Sequence, residues 1–390
     1  MKTRYILLTA ALLLAPHVLA QIPEGWEIVE IFPAGTEFYC GPPDINDRGQ
    51  VVFHRSLWPP DLPKNEIFIY DRGHLMQVTD DGVYDAFPRI NNNGAIVWMR
   101  DTAGRNASSD IVLWRDGHLT QVSFPGNNQT DGAPDVNDKG WIVWSRAMDL
   151  PQDWDEIYLW DQAKTRQITD NGLSNQGPRI NRRGDLVLTM RDYSVSPLVS
   201  EILAYFGGAL VRLSNGQRHV VAGGINDISQ VVWDSPYDGL QLWHRGWTKD
   251  LVPAYALAGG INNRGDVAVT RFDVRQRNYT LWAIRQGELV QLTDGAQGGG
   301  AGGINYRGEI ATVIGRFPSI GVAIFTKRAF AADCDLDGDV DLADFSVIQR
   351  CFDSTPAGLA EACTSSDINN DVVVDQLDVA TFIGFLGGPE

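Results

Sequence analysis

A short turn signature recurs seven times along this chain, and its period constrains the fold more than any other property. Isoleucine or valine is followed by asparagine and, three residues later, by glycine: Ile45-Asn46 to Gly49, Ile90-Asn91 to Gly94, Val136-Asn137 to Gly140, Ile180-Asn181 to Gly184, Ile261-Asn262 to Gly265 and Ile304-Asn305 to Gly308. A further copy, Ile225-Asn226, carries Ser229 in the glycine's place. Successive asparagines lie 45, 46, 44, 45, 36 and 43 residues apart. A repeat of that length is one supersecondary unit, which must stack on its neighbours to bury both faces.

Each turn leads into a run rich in β-branched and aromatic residues, such as Gln50-Val51-Val52-Phe53 or Ala95-Ile96-Val97-Trp98, the composition of a strand. A second strand ends on an aromatic: Tyr70, Trp114, Trp160, Tyr205, Trp243, Trp282 or Phe325. Most copies add a third, as in Leu75 to Thr79, and the strand holding the Ile-Asn pair completes four. Four antiparallel strands at this period predict an all-β, seven-bladed β-propeller over residues 21–328, with six blades as the alternative if the short fifth unit is degenerate. The seventh unit stops after Ile324-Phe325, while Trp26 to Phe32 is a strand without a unit. That segment is expected to complete the last blade and close the ring. The pattern resembles TolB-like and WD40-like propeller repeats over residues 26–328, a likeness of fold that carries no activity.

Residues 1–20 read as a cleavable signal peptide: Lys2 and Arg4, an apolar run from Ile6 to Leu14, and a small-residue exit at Ala20. The run is too short to span a bilayer, so a secreted or periplasmic chain without a membrane span is expected. The formal charge is -17, yet residues 333–390 hold thirteen acids and one base, Arg350. Nothing in this distribution offers the basic face that nucleic acid requires. Four cysteines allow three pairings. Cys351–Cys363 is the local choice, and Cys40–Cys334 would tie the tail to the first blade.

The acids of the tail are spaced as a calcium loop. Asp333, Asp335, Asp337 and Asp344 stand at positions 1, 3, 5 and 12, Gly338 at 6, and Asp339 supplies a carbonyl at 7. A second copy has Asp367, Asn369 and Asp371, the carbonyl of Val373, and Asp378, with Val372 where glycine is expected. Amphipathic segments, Leu342 to Phe352 and Leu377 to Leu386, follow the loops. After a short linker at 329–332, residues 333–390 therefore form a small helical, EF-hand-like domain with two Ca2+ sites, the first matching the loop pattern more closely. Over 333–386 it resembles a type I dockerin. The resemblance implies a cohesin-like partner read by Leu342 and Ala343 in one loop and Gln376 and Leu377 in the other. These four lack the hydroxyl pair common in cohesin-binding modules, and a structural calcium clamp is the alternative.

On the propeller, Asn-x-x-Gly is explained by local turn chemistry. Positions that differ between blades are better candidates for function. Before the Ile-Asn pair the chain reads Pro43-Asp44, Pro88-Arg89, Pro134-Asp135 and Pro178-Arg179, then glycine pairs at 223–224, 259–260 and 302–303. Six residues after the turn glycine stand Arg55, Arg100, Arg146 and Arg271, with Arg191 one place later; nearby loops carry Trp58 and Trp154. Such a tier could hold an acidic sugar chain, since guanidinium matches carboxylate and flat rings stack on sugars. The competing reading pairs each arginine with a nearby acid such as Asp101 or Asp192.

These features point to a binding or anchoring protein whose propeller takes a polysaccharide or a protein. The alternative is a polysaccharide-degrading glycoside hydrolase or lyase. No G-x-S-x-G elbow or H-E-x-x-H helix is present. His54 and His244 could form half of a metal site, but no catalytic residue is assigned.

Overall fold

The computed structural model describes residues 5–6, 22–23, 25–32, 38–57, 65–101, 108–123, 129–147, 154–215, 219–235, 237–253, 255–273, 278–294, 300–316, 319–327, 334, 342–352, 366, 368 and 373–386. The chain builds a seven-bladed β-propeller followed by two short helices. The innermost strands are Asp44–Ile45, Asp85–Ile90, Asp131–Val136, Ser174–Ile180, Val221–Ile225, Ala256–Ile261 and Gly300–Ile304, and each pairs with the strand that follows its asparagine turn. The short fifth unit is a complete four-stranded blade, so the count is seven.

Trp26–Phe32 pairs antiparallel with Ser319–Lys327 and supplies the outer strand of blade 7. The sheet edge that would otherwise remain open is thereby covered. In blade 1 the innermost strand is interrupted, with Phe38–Cys40 and Asp44–Ile45 both pairing Val51–Leu57. Tyr5–Ile6, within the expected signal peptide, pairs with the outer strand His74–Gln77 of the same blade.

The asparagine turns do more than reverse the chain. In blade 1, Asn46 Oδ1 accepts the backbone N–H groups of Arg48 and Gln50 at 3.1 and 3.0 Å. Gly49 completes the turn at φ 76°, which glycine adopts without steric cost. The Nδ2 group instead crosses to the next blade. Asn46 donates to the carbonyl of Asn91 at 3.0 Å, Asn91 to Asn137 at 2.9 Å, Asn137 to Asn181 at 2.9 Å and Asn181 to Asn226 at 3.0 Å. Asn226 donates to Asn262 and Asn262 to Asn305, both at 2.9 Å, and Asn305 returns to Asn46 at 3.1 Å. Seven buried amides thus form a closed hydrogen-bonded collar around the axis, which local turn chemistry does not reveal.

Because each amide is buried and doubly used, Asn137→Ala is expected to cost about 1–3 kcal/mol by leaving the Asn181 carbonyl and two turn N–H groups without their partner. Urea unfolding of the variant measures this. An unchanged midpoint would reduce the collar to a by-product of the turns.

Between blades the core is aliphatic and aromatic, with Trp98, Trp144, Trp233, Phe53 and Phe325 fully enclosed. The tail has its own core. Cys334, Val347, Ile348, Cys351, Ile368, Val374 and Phe382 pack together around the helices α1 (Leu342–Cys351) and α2 (Gln376–Leu386). Cys351 is disulfide-bonded, but Cys40 and Cys334 are not joined to each other, so the expected bridge between tail and first blade is not made. The reason is burial in separate cores: Cys40 packs with Ile31, Phe53 and Val322, and Cys334 among the tail residues. Cys363 lies outside the described residues.

Candidate functional site

The arginine tier exists, and two of its members are clamped by buried aspartates. Arg146 and Asp131 face each other across adjacent strands of blade 3. Arg146 Nε donates to Asp131 Oδ1 at 2.6 Å and Nη2 to Oδ2 at 2.8 Å, while Trp144 Nε1 adds a bond at 3.1 Å. Arg146 is 3 % exposed and Asp131 fully buried. Burial alone would lower the guanidinium's affinity for its proton, but Asp131 more than offsets this and holds it above its ordinary range. Blade 2 repeats the arrangement: Arg100 bonds Asp85 at 2.8 and 2.7 Å and Asp81 at 3.0 Å, and Trp98 Nε1 donates to Asp85 at 2.8 Å. The partner acid is therefore the first residue of the innermost strand, not Asp101 or Asp192.

The other three arginines are half-buried and lack that clamp. Blade 1 places Cys40, not an aspartate, opposite Arg55, whose guanidinium lies over Phe32 at 4.3 Å and Phe68 at 5.8 Å. Burial pushes the Cys40 thiol up to about 11 despite Arg55. Arg191 donates to Gln176 at 2.9 Å, and Arg271 lies over Trp282 at 5.0 Å. Trp154 packs against Gly172, where a Cβ would come within 3.2 Å of its ring. Trp58 lies outside the described residues.

At the axis, the alternating charges link neighbouring blades. Asp44 Oδ2 accepts the Ile90 N–H at 3.0 Å, Asp135 Oδ2 the Ile180 N–H at 2.9 Å, and Arg89 stands 3.5 Å from Asp44. Burial raises Asp135 above the usual carboxylate range, opposed by Arg179 and Arg89; burial and then Arg89 lower Arg179 to about 10. The glycine pairs serve close approach. A Cβ on Gly302 would sit 2.0 Å from the Pro43 carbonyl, and one on Gly223 would sit 2.3 Å from Ala258 Cβ.

One strand position supplies acceptors to the innermost strand of the following blade. Thr189 Oγ1 accepts the Ala222 N–H at 2.9 Å, Asp234 Oδ1 the Ala258 N–H at 3.2 Å, and His54 Nδ1 the Phe87 N–H at 3.3 Å. His54 fills the space above Gly41, where a Cβ would meet its ring at 1.8 Å, and burial lowers it to about 4. His244 belongs to blade 5, beside Trp247, so the two histidines are not brought into one metal site.

Asp234 was not singled out from sequence, although it is an acid directly after the apolar run Val231-Val232-Trp233 in the strand Val231–Ser235. It is 3 % exposed, and burial raises it to about 7 against the single hydrogen bond from Ala258. An acid whose folded value is raised stabilises the fold while protonated, and that contribution is lost as pH rises from the ordinary carboxylate range through about 7. Asp234→Asn, which keeps the acceptor, is therefore expected to raise stability at pH 8 by roughly 2–4 kcal/mol and to change little at pH 4. Urea midpoints at both pH values decide this; an equal shift at both would mean that ionisation is not the cause.

Among the described residues, Glu66, Asp81 and Asp85 bring three carboxylates within 4.8 Å of one another. Arg100 already pairs with two of them, Asp81 and Asp85.

In the tail, Asp344 and Asp378 occupy equivalent places in the first turn of α1 and α2, and both are fully buried. Asp378 accepts the N–H groups of Ile368 and Asp375 at 2.7 and 2.8 Å, drawing its loop onto the helix start. The single base of this region, Arg350, is exposed. Val373 is half-buried; Asp333, Asp335, Asp337, Asp339, Asp367, Asn369 and Asp371 lie outside the described residues. Leu342 is 76 % and Leu377 59 % exposed, and Gln376 is also on the surface; Ala343 belongs to α1.

By structure, the chain is similar to the β-propeller domain of the Trilobed protease from Pyrococcus furiosus, at 13 % identity and a TM-score of 0.55 over 74 % of this chain and 95 % of that one. It is also similar to a puromycin-hydrolyzing peptidase of Mycobacterium tuberculosis, at 10 % identity and a TM-score of 0.56 over 76 % of this chain and 54 % of that one. TolB from Acinetobacter baumannii matches at 16 % identity and a TM-score of 0.41 over 72 % and 64 % of the two chains. The chain spans about half the length of the puromycin-hydrolyzing peptidase. The Pyrococcus furiosus domain is described as having an open velcro topology, whereas here Trp26–Phe32 closes the last blade. No protein-family model and no curated protein matches the sequence. The first two likenesses accord with the propeller fold, and among the described residues no helix is long and apolar enough to cross a membrane.

Proposed function

We propose that the chain is an exported binding protein. Its propeller takes a carbohydrate or protein ligand, and its calcium-loaded, dockerin-like tail attaches it to a partner. The observation that carries the tail reading is the burial of Asp344 and Asp378 in a small core whose one base is exposed. Two carboxylates withdrawn from water, each at the twelfth position of a calcium-loop spacing, favour a bound cation as counter-charge. Hard oxygen donors at these loop positions suit Ca2+. Asp344 would serve the first site and Asp378 the second, with the other acids and carbonyls of the two loops completing each set. Exposed Leu342 and Leu377 then belong to the partner-facing surface.

Calorimetric titration of the chelator-treated full chain with Ca2+ tests the tail. Two binding events are expected, with Asp344→Asn and Asp378→Asn each weakening one. Absence of any Ca2+ heat would overturn the reading. For the propeller, release of new reducing ends or unsaturated products from a polysaccharide panel would replace a binder with a hydrolase or lyase.

A further inference from the structure

The grooves between blades, on the face that carries the asparagine turns, are closed by side chains lying against the turn glycines. A Cβ on Gly94 would meet Gln50 at 3.6 Å, on Gly184 Trp141 at 2.5 Å, and on Gly265 Gln230 at 3.4 Å. Where Ala95 is too short to reach Gly140, Arg115 and Gln162 fill in at 2.7 and 3.1 Å. Arg285 covers Gly308 and Arg307 covers Gly49, both at 3.1 Å.

The groove between blades 4 and 5 is built differently. Its bridging residue is the short Asp185, and Ser229 replaces the turn glycine. Ser229 donates to Asp185 Oδ2 at 2.9 Å, and Arg183 bonds both Ser229 and Asp185. Beside this compact bridge lies a cavity of about 300 Å3. Phe206 and Trp243 wall it, stacked with centroids 5.5 Å apart and planes 18° from parallel. Arg183, 54 % exposed, and Arg245 flank it. Arg245 sits at φ 49° in a tight hairpin ahead of Gly246, and makes no ion pair with a described residue.

We infer that this cavity binds the carboxylate-bearing ring of an acidic glycan, a uronic acid residue. With Arg183 offset by Asp185, the flanking side chains carry one net positive charge, matched to one carboxylate. The aromatic wall offers a flat apolar surface to the C–H face of a pyranose, and Ser229 and Asp185 can bond its hydroxyls. The inference rests on the reading of the propeller as a ligand-binding domain and names its ligand class and place.

The test is titration of the full chain with tetragalacturonate, followed by tryptophan fluorescence, with an uncharged hexose tetramer and acetate as controls. Saturable quenching by the uronate is expected, with Arg245→Ala and Arg245→Glu weakening binding by about tenfold or more, the loss of one charge-assisted hydrogen bond. Arg245 is an exposed turn residue, so both variants should fold, which melting curves verify. Equal affinity for the neutral tetramer or for acetate overturns the inference, as does the absence of uronate binding. Uronate binding indifferent to Arg245→Glu removes this site while leaving a glycan-binding propeller intact.

Discussion

Arg146→Ala is expected to destabilise the propeller by about 3–5 kcal/mol, because it leaves the buried carboxylate of Asp131 facing only Trp144 Nε1. A surface arginine would cost little, and an arginine serving only a ligand would change affinity without changing the unfolding midpoint. Arg100→Ala should cost less, since its environment is more open and includes the half-exposed Asp81. Arg55→Ala should cost least, since Cys40 rather than a buried aspartate stands opposite it and its guanidinium lies over aromatic faces, contacts worth about 0.5–2 kcal/mol. Guanidinium unfolding of the three variants gives the order directly. A midpoint for Arg146→Ala equal to that of the parent chain would return this residue to the list of ligand contacts.

Chelation should produce the second large change, confined to the tail. Metal binding to a site absent from the unfolded chain contributes RT ln(1 + [L]/Kd), about 4 kcal/mol when Ca2+ is a thousandfold above Kd. The tail core is small, consisting of two short helices around a handful of apolar side chains. Removing the cation should therefore unfold it, seen as loss of helical dichroism and new protease cleavage after residue 328. The blades, which hold no part of the loops, should melt unchanged. Retention of helical signal and protease resistance in chelator would show that the packing of Phe345 on Phe382 and the Cys351 disulfide suffice.

The ring was legible in sequence because its signals are local and repeated. Asparagine and glycine three residues apart mark a turn, and seven copies, six of them with the glycine, spaced 36–46 residues apart predict seven blades; the four strands of the short fifth unit settle that count against six. The unpaired Trp26 to Phe32 segment likewise had one vacant edge to fill. What sequence did not disclose depends on register. Arg100 and Arg146 find Asp85 and Asp131, fifteen residues upstream, because antiparallel pairing sets them directly opposite; Asp101, adjacent to Arg100 in sequence, is not its clamp. The outward half of each asparagine amide was hidden for the same reason, since the next blade's carbonyl is known only once the blades are placed. The blade 4–5 cavity was hidden too: it follows from a short Asp185 and a serine in place of glycine, which alone resemble ordinary drift in a repeat.

Closure of blade 7 by the N-terminal strand also sets how the molecule carries mechanical load. A pull arriving from residue 328 onward enters the ring at Lys327, the last residue of Ser319–Lys327. That strand is flanked by Ile310–Arg316 on one side and Trp26–Phe32 on the other. Tension along it is shared by two ladders of hydrogen bonds that must slide together, so the ring resists a pull from that end in shear rather than peeling open one bond at a time.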